Sequence, residues 1–246
     1  MTEPRTPRPE GAAPGAPARR PLTVGLRRFS TVEFLIALAL MFAMTPFVEQ
    51  MKHGRVVEAL LMTLVLVSAV LAVGQRRRTL VVATLLVLPA LVGRWLHHYW
   101  PELVSPTFFI SSALVFMLFV ILNLLLFILR ASRVNMEVLC AGISAYLLCG
   151  LLWTLAYMLV WQVKPDSFSC STGPASSFAM EGPTAFYFSF ITLSTVGYGD
   201  IVPVSSLARM LAAMEAMTGT LYLAVFISRL VALYSSQPPE SPEQKQ

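Results

Sequence analysis

Charged residues are scarce in this chain of 246 residues: Asp, Glu, Lys and Arg make up 13% of it, whereas hydrophobic residues make up 56%. A soluble domain usually carries about 25% charged residues. The shortage argues against a soluble domain and indicates a membrane protein. The net charge of +5 does not indicate a nucleic-acid partner, because the basic residues cluster at the ends of apolar runs, where they set membrane orientation.

Cysteine is also scarce, and the three present give no disulfide framework. Cys140 and Cys149 lie inside an apolar run and are expected to be small buried residues. Cys170 lies in a polar loop, where it either stays free or pairs between chains. No Ser/His/Asp or two-carboxylate constellation converges in the sequence. We therefore expect neither catalysis nor a cofactor, and no small-molecule substrate.

The two ends of the chain lack a long apolar run. The first 22 residues hold six prolines and no hydrophobic face, which is typical of disorder. No short apolar core with a small-residue cleavage site follows, so a signal peptide is not expected. We predict disordered cytoplasmic tails over residues 1–28 and 235–246.

Long apolar runs fill the rest of the chain. A helix needs roughly 20 apolar residues to span the hydrocarbon core. Six runs reach or approach that length: 31–48, 56–73, 80–97, 107–129, 137–162 and 205–234. They predict an all-α membrane protein with six transmembrane helices, divided into a four-helix domain over 29–133 and a second domain over 134–234.

The basic residues predict the orientation of these six helices. With both tails on one side, 13 of the 18 lysines and arginines fall on that side. Cytoplasmic segments carry the excess of Lys and Arg. We therefore expect both termini in the cytoplasm and the chain in the inner (plasma) membrane.

A seventh apolar segment, 183–194, is too short to cross. Its 12 residues would reach only about 18 Å as a helix. Pro183 suits the first turn of a helix, where its missing N–H costs nothing. The segment must enter and return on the same side, and such backbone is tolerated at membrane depth only where protein buries it or water bathes it.

The return limb is the stretch TLSTVGYGDIVP, residues 192–203. Gly197 and Gly199 can take positive φ at no steric cost. Left-handed residues alternating with ordinary ones turn successive carbonyls the same way, and Thr195 adds a hydroxyl oxygen. One chain then supplies one side of a column of oxygens, and a ring of four chains would enclose an alkali cation.

The sequence TVGYGD within this limb resembles the selectivity filter of potassium channels, which are the standard example of ion selection by rings of backbone carbonyls. The similarity covers the short helix, the limb and the last apolar run, residues 183–234. It implies the tetrameric potassium-channel pore fold. It also implies K⁺ coordination by Thr195, Val196, Gly197 and Tyr198.

The resemblance assigns supporting roles to four further residues. Gly199 would permit a sharp exit from the filter, and Asp200 would lie at the outer mouth. Tyr198 would turn its ring away from the ion and pack near Tyr187 and Phe188 of the short helix. The alternative to a filter is a Gly-rich turn between two membrane helices, which the short helix before it and the long helix after it disfavour.

The last apolar run is the expected inner helix of the pore. Gly219 lies in its middle, where a packing or bending role is expected. Leu223 and Ile227 follow at spacings of four, so they form a hydrophobic gate if that face lines the pore, or pack between helices if it does not. Glu215 is an intramembrane carboxylate and therefore a functional candidate. It either faces the filter or cavity, or is protonated and hydrogen-bonded to the short helix.

The fourth apolar run lacks the arginines of a voltage sensor. Residues 107–129 contain no Lys or Arg, whereas steep voltage dependence needs about three to four gating charges per subunit. We expect a homotetramer in membrane lipid that conducts K⁺ passively with weak or absent voltage dependence. Two alternatives stay open: a poorly selective cation channel, and a non-conducting channel-like scaffold.

Overall fold

The computed structural model describes residues 24–48, 54–74, 77–100, 102, 105–171 and 178–235. Most of both predicted tails, residues 1–23 and 236–246, lies outside the described residues. Seven α-helices and two short strands form within the described ranges. The elements in chain order are α1 (Val24–Val48), α2 (Gly54–Val73), α3 (Arg77–Tyr99), α4 (Pro106–Arg130), α5 (Met136–Val163), β1 (Phe168–Cys170), α6 (Gly182–Leu193), β2 (Ile201–Pro203) and α7 (Ser206–Ser235).

Each apolar run of the sequence forms a helix, with ends close to those expected. Membrane-spanning backbone must satisfy its polar groups internally, so an apolar run of this length has little choice but the helix. The largest difference is at α1, which begins at Val24 and so takes residues 24–28 out of the predicted tail. α5 begins with the Asn135 side chain accepting a hydrogen bond from the Val138 N–H at 2.9 Å, which caps the helix.

Five of the described helices are long and apolar enough to cross a membrane: α2, α3, α4, α5 and α7. The apolar part of α1, Thr31–Phe47, is shorter. The chain is therefore a mostly helical, multi-pass membrane protein. The sixth crossing, by α1, stays a prediction.

α5 is the central helix of the described structure. It packs against α1 and α4 and also against α6 and α7. Two thirds of its membrane-length segment is buried, 67%, compared with 11% for α7. Helices α1 to α4, which we call the front bundle, are thus joined to α6 and α7 through α5.

Two short strands, which the sequence did not predict, form an antiparallel pair that brackets the segment containing α6. β1 follows α5 and pairs antiparallel with β2, with Cys170 opposite Ile201 and Phe168 opposite Pro203. Backbone hydrogen bonds from Ser171 N to Asp200 O (2.8 Å) and from Val204 N to Ser167 O (2.8 Å) extend the pairing. We call the end of the molecule that carries these strands the hairpin end.

At the opposite end, Arg229 of α7 contacts the end of α4. Its Nη2 donates to the carbonyl oxygens of Leu129 (3.0 Å) and Ala131 (2.9 Å). The last carbonyls of a helix have no partner within the helix. Arg229 satisfies two such groups and ties α7 to the front bundle.

Candidate functional site

The short helix α6 lies between α5 and α7. It has 12 residues, and Pro183 occupies its first turn, as the sequence predicts. One face is buried, formed by Ala185, Phe188, Ser189 and Leu193. The carbonyl end of a helix carries a partial negative charge, so the end of α6 at Leu193 is suited to a cation.

The chain reverses direction immediately after α6. The N–H groups of Val196 and Gly197 both donate to the carbonyl oxygen of Ile191, at 2.9 and 3.1 Å, and Thr195 N donates to Thr192 O at 2.9 Å. These bonds fasten the first residues of the return limb to the last turn of the helix. The start of the limb is therefore positioned by backbone hydrogen bonds.

Left-handed residues alternate with ordinary ones along the limb. Thr195, Gly197 and Gly199 have φ of 59°, 52° and 79°, and no residue between them has positive φ. The glycines adopt this conformation without a Cβ penalty. Thr195 does not, because a left-handed L-residue costs roughly 1–2 kcal/mol. The sequence pointed to the glycines but carried no sign of the left-handed threonine.

The limb presents its residues to the outside of the single chain. Residues 194–199 are all exposed, including the apolar side chain of Val196 at 55%. Apolar and backbone groups at membrane depth need protein or water beside them. A single chain therefore leaves the limb uncovered.

The ring of Tyr198 packs against α6 through Tyr187. The two rings are parallel to within 5°, with centroids 6.5 Å apart. Phe188 lies elsewhere: its ring centroid is 4.9 Å from that of Tyr157 and 5.5 Å from that of Phe168. Consecutive residues of an α-helix point about 100° apart, since 3.6 residues make one turn. The expectation for Tyr198 therefore holds for Tyr187 but not for Phe188. Tyr187 contacts Tyr198, whereas Phe188 points into the core.

Asp200 follows the limb and is held by Ser171, which comes directly after β1, and by α6. Its carbonyl oxygen accepts from Ser171 N at 2.8 Å and from the Ser171 hydroxyl at 3.2 Å. The Tyr187 hydroxyl of α6 forms a side-chain hydrogen bond with Asp200. The limb is therefore anchored at both ends, by Ile191 before it and by Asp200 after it.

Glu215 of α7 is completely buried behind α6. Its carboxyl group accepts a short hydrogen bond from the Tyr157 hydroxyl and lies 2.5 Å from the Ser189 hydroxyl. Ser189 Oγ is also 2.7 Å from the Gly150 carbonyl oxygen. This cluster joins α5, α6 and α7. The sequence singled out Glu215 but not Ser189 or Tyr157, because partners 26 and 58 residues away leave no local pattern.

Gly219 lies where α7 crosses the end of α6. A Cβ placed on it would collide with the carbonyl oxygen of Leu193 and stand 3.0 Å from Leu193 Cδ1. The absence of a side chain thus allows the two helices to approach closely. α7 is an unbroken helix from Ser206 to Ser235.

Leu223 and Ile227 are not covered by this chain. Their exposed fractions are 41% and 57%. α7 turns its buried positions, Ala208, Glu215, Gly219 and Leu233, towards its own chain. The two gating candidates are therefore free to face a pore or a neighbouring chain.

Metal-binding side chains do not cluster in the part of the chain that the structure describes. No group of three or more His, Cys, Asp or Glu residues there is placed to hold a metal ion. Any cation at the limb would be held by backbone and hydroxyl oxygens, which are the ligands that hard alkali ions accept.

Comparison with known proteins finds one matching family and several similar proteins. Residues 136–236 match a family described as ion channel. The potassium voltage-gated channel protein shk-1 of Caenorhabditis elegans is 37% identical over 84 residues, which are 34% of this chain and 16% of that protein. The inward rectifier potassium channel Kirbac3.1 of Paramagnetospirillum magnetotacticum is 33% identical over 94 residues, 37% of this chain and 27% of that protein.

A third relative is the voltage-gated potassium channel Kch of Escherichia coli (strain K12), 47% identical over 51 residues, 21% of this chain and 12% of that protein. The chain thus spans well under a third of the length of these relatives. No solved structure matches.

Proposed function

We propose, from the premise that this chain belongs to the potassium channel family, that it conducts K⁺ passively and selectively across a membrane. The membership that the filter sequence predicts is confirmed by the ion channel match over residues 136–236 and by the similar potassium channels. The observation that carries the proposal is the alternation of left-handed Thr195, Gly197 and Gly199 in a limb that starts at the carbonyl end of α6.

The proposed coordination of K⁺ follows from this alternation. Carbonyl oxygens of Thr195, Val196, Gly197 and Tyr198, with the Thr195 hydroxyl, replace the hydration shell of the ion. The anchors at Ile191 and Asp200 hold the limb at fixed length. The stacked rings of Tyr187 and Tyr198 support its outer side. K⁺ is the transported ion and not a resident cofactor.

The proposed working unit is a homotetramer with the limb on the fourfold axis. Two features support it: the limb is exposed in the single chain, and only 11% of the membrane-length segment of α7 is buried. Large exposed apolar surfaces mark contacts with lipid or with other chains. Native mass spectrometry of the purified protein measures the subunit number directly, and a monomer would contradict the proposal.

The proposed orientation has six crossings, both termini in the cytoplasm and the hairpin end outside, in the inner membrane of the cell. The distribution of Lys and Arg supports it. A reporter that is active only in the cytoplasm, fused in turn to each terminus, should be active in both fusions. Activity at one terminus alone would mean an odd number of crossings. The helix that then fails to cross would be α1 (Val24–Val48), whose apolar part is the shortest.

The test of conduction is K⁺ flux into liposomes that hold the purified chain, with Na⁺ as competitor and barium as blocker. Selective, barium-sensitive flux is expected. Gly197→Ala should abolish it, since Ala at φ 52° is strained. Val115→Ala, on the exposed face of α4, should leave it unchanged. Equal permeation of Na⁺ would favour the poorly selective cation channel, and absence of flux for every ion the non-conducting scaffold.

A further inference from the structure

Glu215 of α7 is the one acidic residue that the described part of the chain buries completely. It takes no part in the proposed coordination of K⁺, because its carboxyl group contacts α5 and α6 and not the limb. An ionisable residue within a membrane-spanning helix is functional by default. What Glu215 does behind α6 depends on whether it carries a charge.

The hydrogen bonds of Ser189 locate the proton. Ser189 Oγ is 2.7 Å from the Gly150 carbonyl oxygen and 2.5 Å from Glu215 Oε1. A hydroxyl has one hydrogen to donate, and a carbonyl oxygen has none. Ser189 must therefore donate to Gly150, and its contact with Glu215 is a hydrogen bond only if Glu215 is the donor. If Glu215 were ionised, one of these two short contacts would bring lone pairs together.

The Tyr157 hydroxyl fits the same assignment. It donates a short hydrogen bond to Oε2, the second oxygen of the Glu215 carboxyl group. With the proton on Oε1, three bonds run in one direction: from Tyr157 to Glu215, from Glu215 to Ser189, and from Ser189 to Gly150. Every donor in this chain then has an acceptor, and successive bonds of such a chain polarise one another.

The surroundings of Glu215 offer no positive charge to balance a carboxylate. α6 faces it with the Ser189 hydroxyl. The titratable side chains of α5 that interact with it are Tyr146, Cys149 and Tyr157, which are neutral when protonated. Glu215 forms no ion pair with Lys, Arg or His among the described residues. A buried carboxylate without a cation is so costly that the group takes up a proton instead.

We propose that Glu215 is a neutral carboxylic acid, which donates a hydrogen bond through Oε1 to Ser189 and thereby positions α6. Ser189 lies two residues before Ile191, whose carbonyl oxygen accepts the two bonds that fasten the start of the limb. Between them, the Phe190 ring fills the space that a side chain on Gly150 would need. The acid thus fixes the helix that carries the anchor of the limb, without placing a charge beside the ion. The position of the proton does not depend on the proposed function, whereas the effect on the limb rests on it.

The first test is infrared spectroscopy of the full-length protein in liposomes at neutral pH. A protonated carboxyl group has a C=O stretching band that a carboxylate lacks. We expect such a band in the unchanged protein, shifted in heavy water and absent from Glu215→Gln. Glu181→Gln should keep the band, because Glu181 is an exposed acid before α6 whose side chain makes no capping hydrogen bond. Absence of the band, or its survival in Glu215→Gln, would overturn the proposal.

A second variant tests the direction of the bond while the acid stays in place. Ser189→Ala removes the acceptor of the Glu215 proton, so the C=O band should remain but move to higher wavenumber. The matched control is Thr154→Val. The Thr154 hydroxyl also donates to the Gly150 oxygen, at 2.8 Å, but this bond stays within α5, so the band should not move. A band at the same position in Ser189→Ala as in the unchanged protein would overturn the assignment.

The positioning role is tested on the permeability ratio of K⁺ to Na⁺, obtained from reversal potentials. Ser189→Ala should lower this ratio, because α6 loses bonds to both α5 and α7, whereas Thr154→Val should leave it unchanged. An unchanged ratio in a Ser189→Ala protein whose band has moved would overturn the positioning role. If the unchanged protein shows the band but no flux of any ion, the proton assignment stands, and the channel function falls together with the positioning role.

Discussion

Substitution of Gly219 by Ala sets two effects of opposite sign against each other. Alanine in place of glycine inside a helix stabilises it by about 0.8–1.0 kcal/mol. The new methyl group would collide with the Leu193 carbonyl oxygen, and overpacking of a filled site costs about 1–3 kcal/mol. The obstacle is backbone at the end of α6, which cannot rotate away as a flexible side chain would.

The collision should therefore exceed the gain in helix propensity. We expect Gly219→Ala to lower the stability of the purified assembly by up to about 2 kcal/mol per chain, the overpacking cost less the gain in helix propensity. It should also weaken K⁺ over Na⁺ selectivity, since Leu193 lies two residues after Ile191, which anchors the limb. The assays are thermal unfolding followed by size-exclusion chromatography, and reversal potentials in mixed K⁺ and Na⁺.

The control is Val115→Ala, which removes atoms from the exposed face of α4, away from α6 and α7. It should alter neither stability beyond a few tenths of a kcal/mol nor selectivity. A Gly219→Ala protein as stable as the unchanged one, with the same reversal potential, would refute the reasoning. It would mean that α6 and α7 lie further apart in the assembly.

Three other predictions concern the helices around the limb. Glu215→Gln should keep assembly and K⁺ flux, because an amide can accept from Tyr157 and donate to Ser189; Glu215→Ala should cost about 2 kcal/mol or more, and a Glu215→Gln protein that fails to assemble would show that a charged carboxylate is required. Leu223→Asn should raise conductance if Leu223 forms a dewetting gate, and single-channel currents no larger than in the unchanged protein would exclude that role. The conductance–voltage relation should be shallow, because Arg130 in the last turn is the one basic residue of α4; a steep relation under voltage clamp would contradict this.

The helices could be predicted from the sequence because the membrane leaves few alternatives. An apolar run either crosses as a helix or, when too short, returns. This reasoning placed α6 within one residue at each end. The positive φ of Gly197 and Gly199 also agrees with the sequence, since glycine takes such backbone at no steric cost, whereas the left-handed Thr195 had no sign in it.

What the sequence did not reveal depends on packing between distant segments. β1 and β2 have three residues each, too short for an alternating pattern to be read. Tyr187 and Phe188 are consecutive aromatic residues of α6 that point in different directions. Which of them faces Tyr198 depends on where the neighbouring helices pack, and the sequence does not give this. The partners of Glu215 lie on two other helices, and its burial by a tyrosine and a serine has no local signal.

The bond between Arg229 and the end of α4 has a mechanical consequence. In the proposed tetramer, each α7 is clasped at its cytoplasmic end by its own front bundle through two carbonyl oxygens. Any widening of the pore there must either drag the bundle sideways through the lipid or open the clasp. The front bundle, although α4 lacks the row of arginines of a voltage sensor, then resists the outward movement of the inner helix. The membrane's resistance to lateral displacement becomes part of the work of opening.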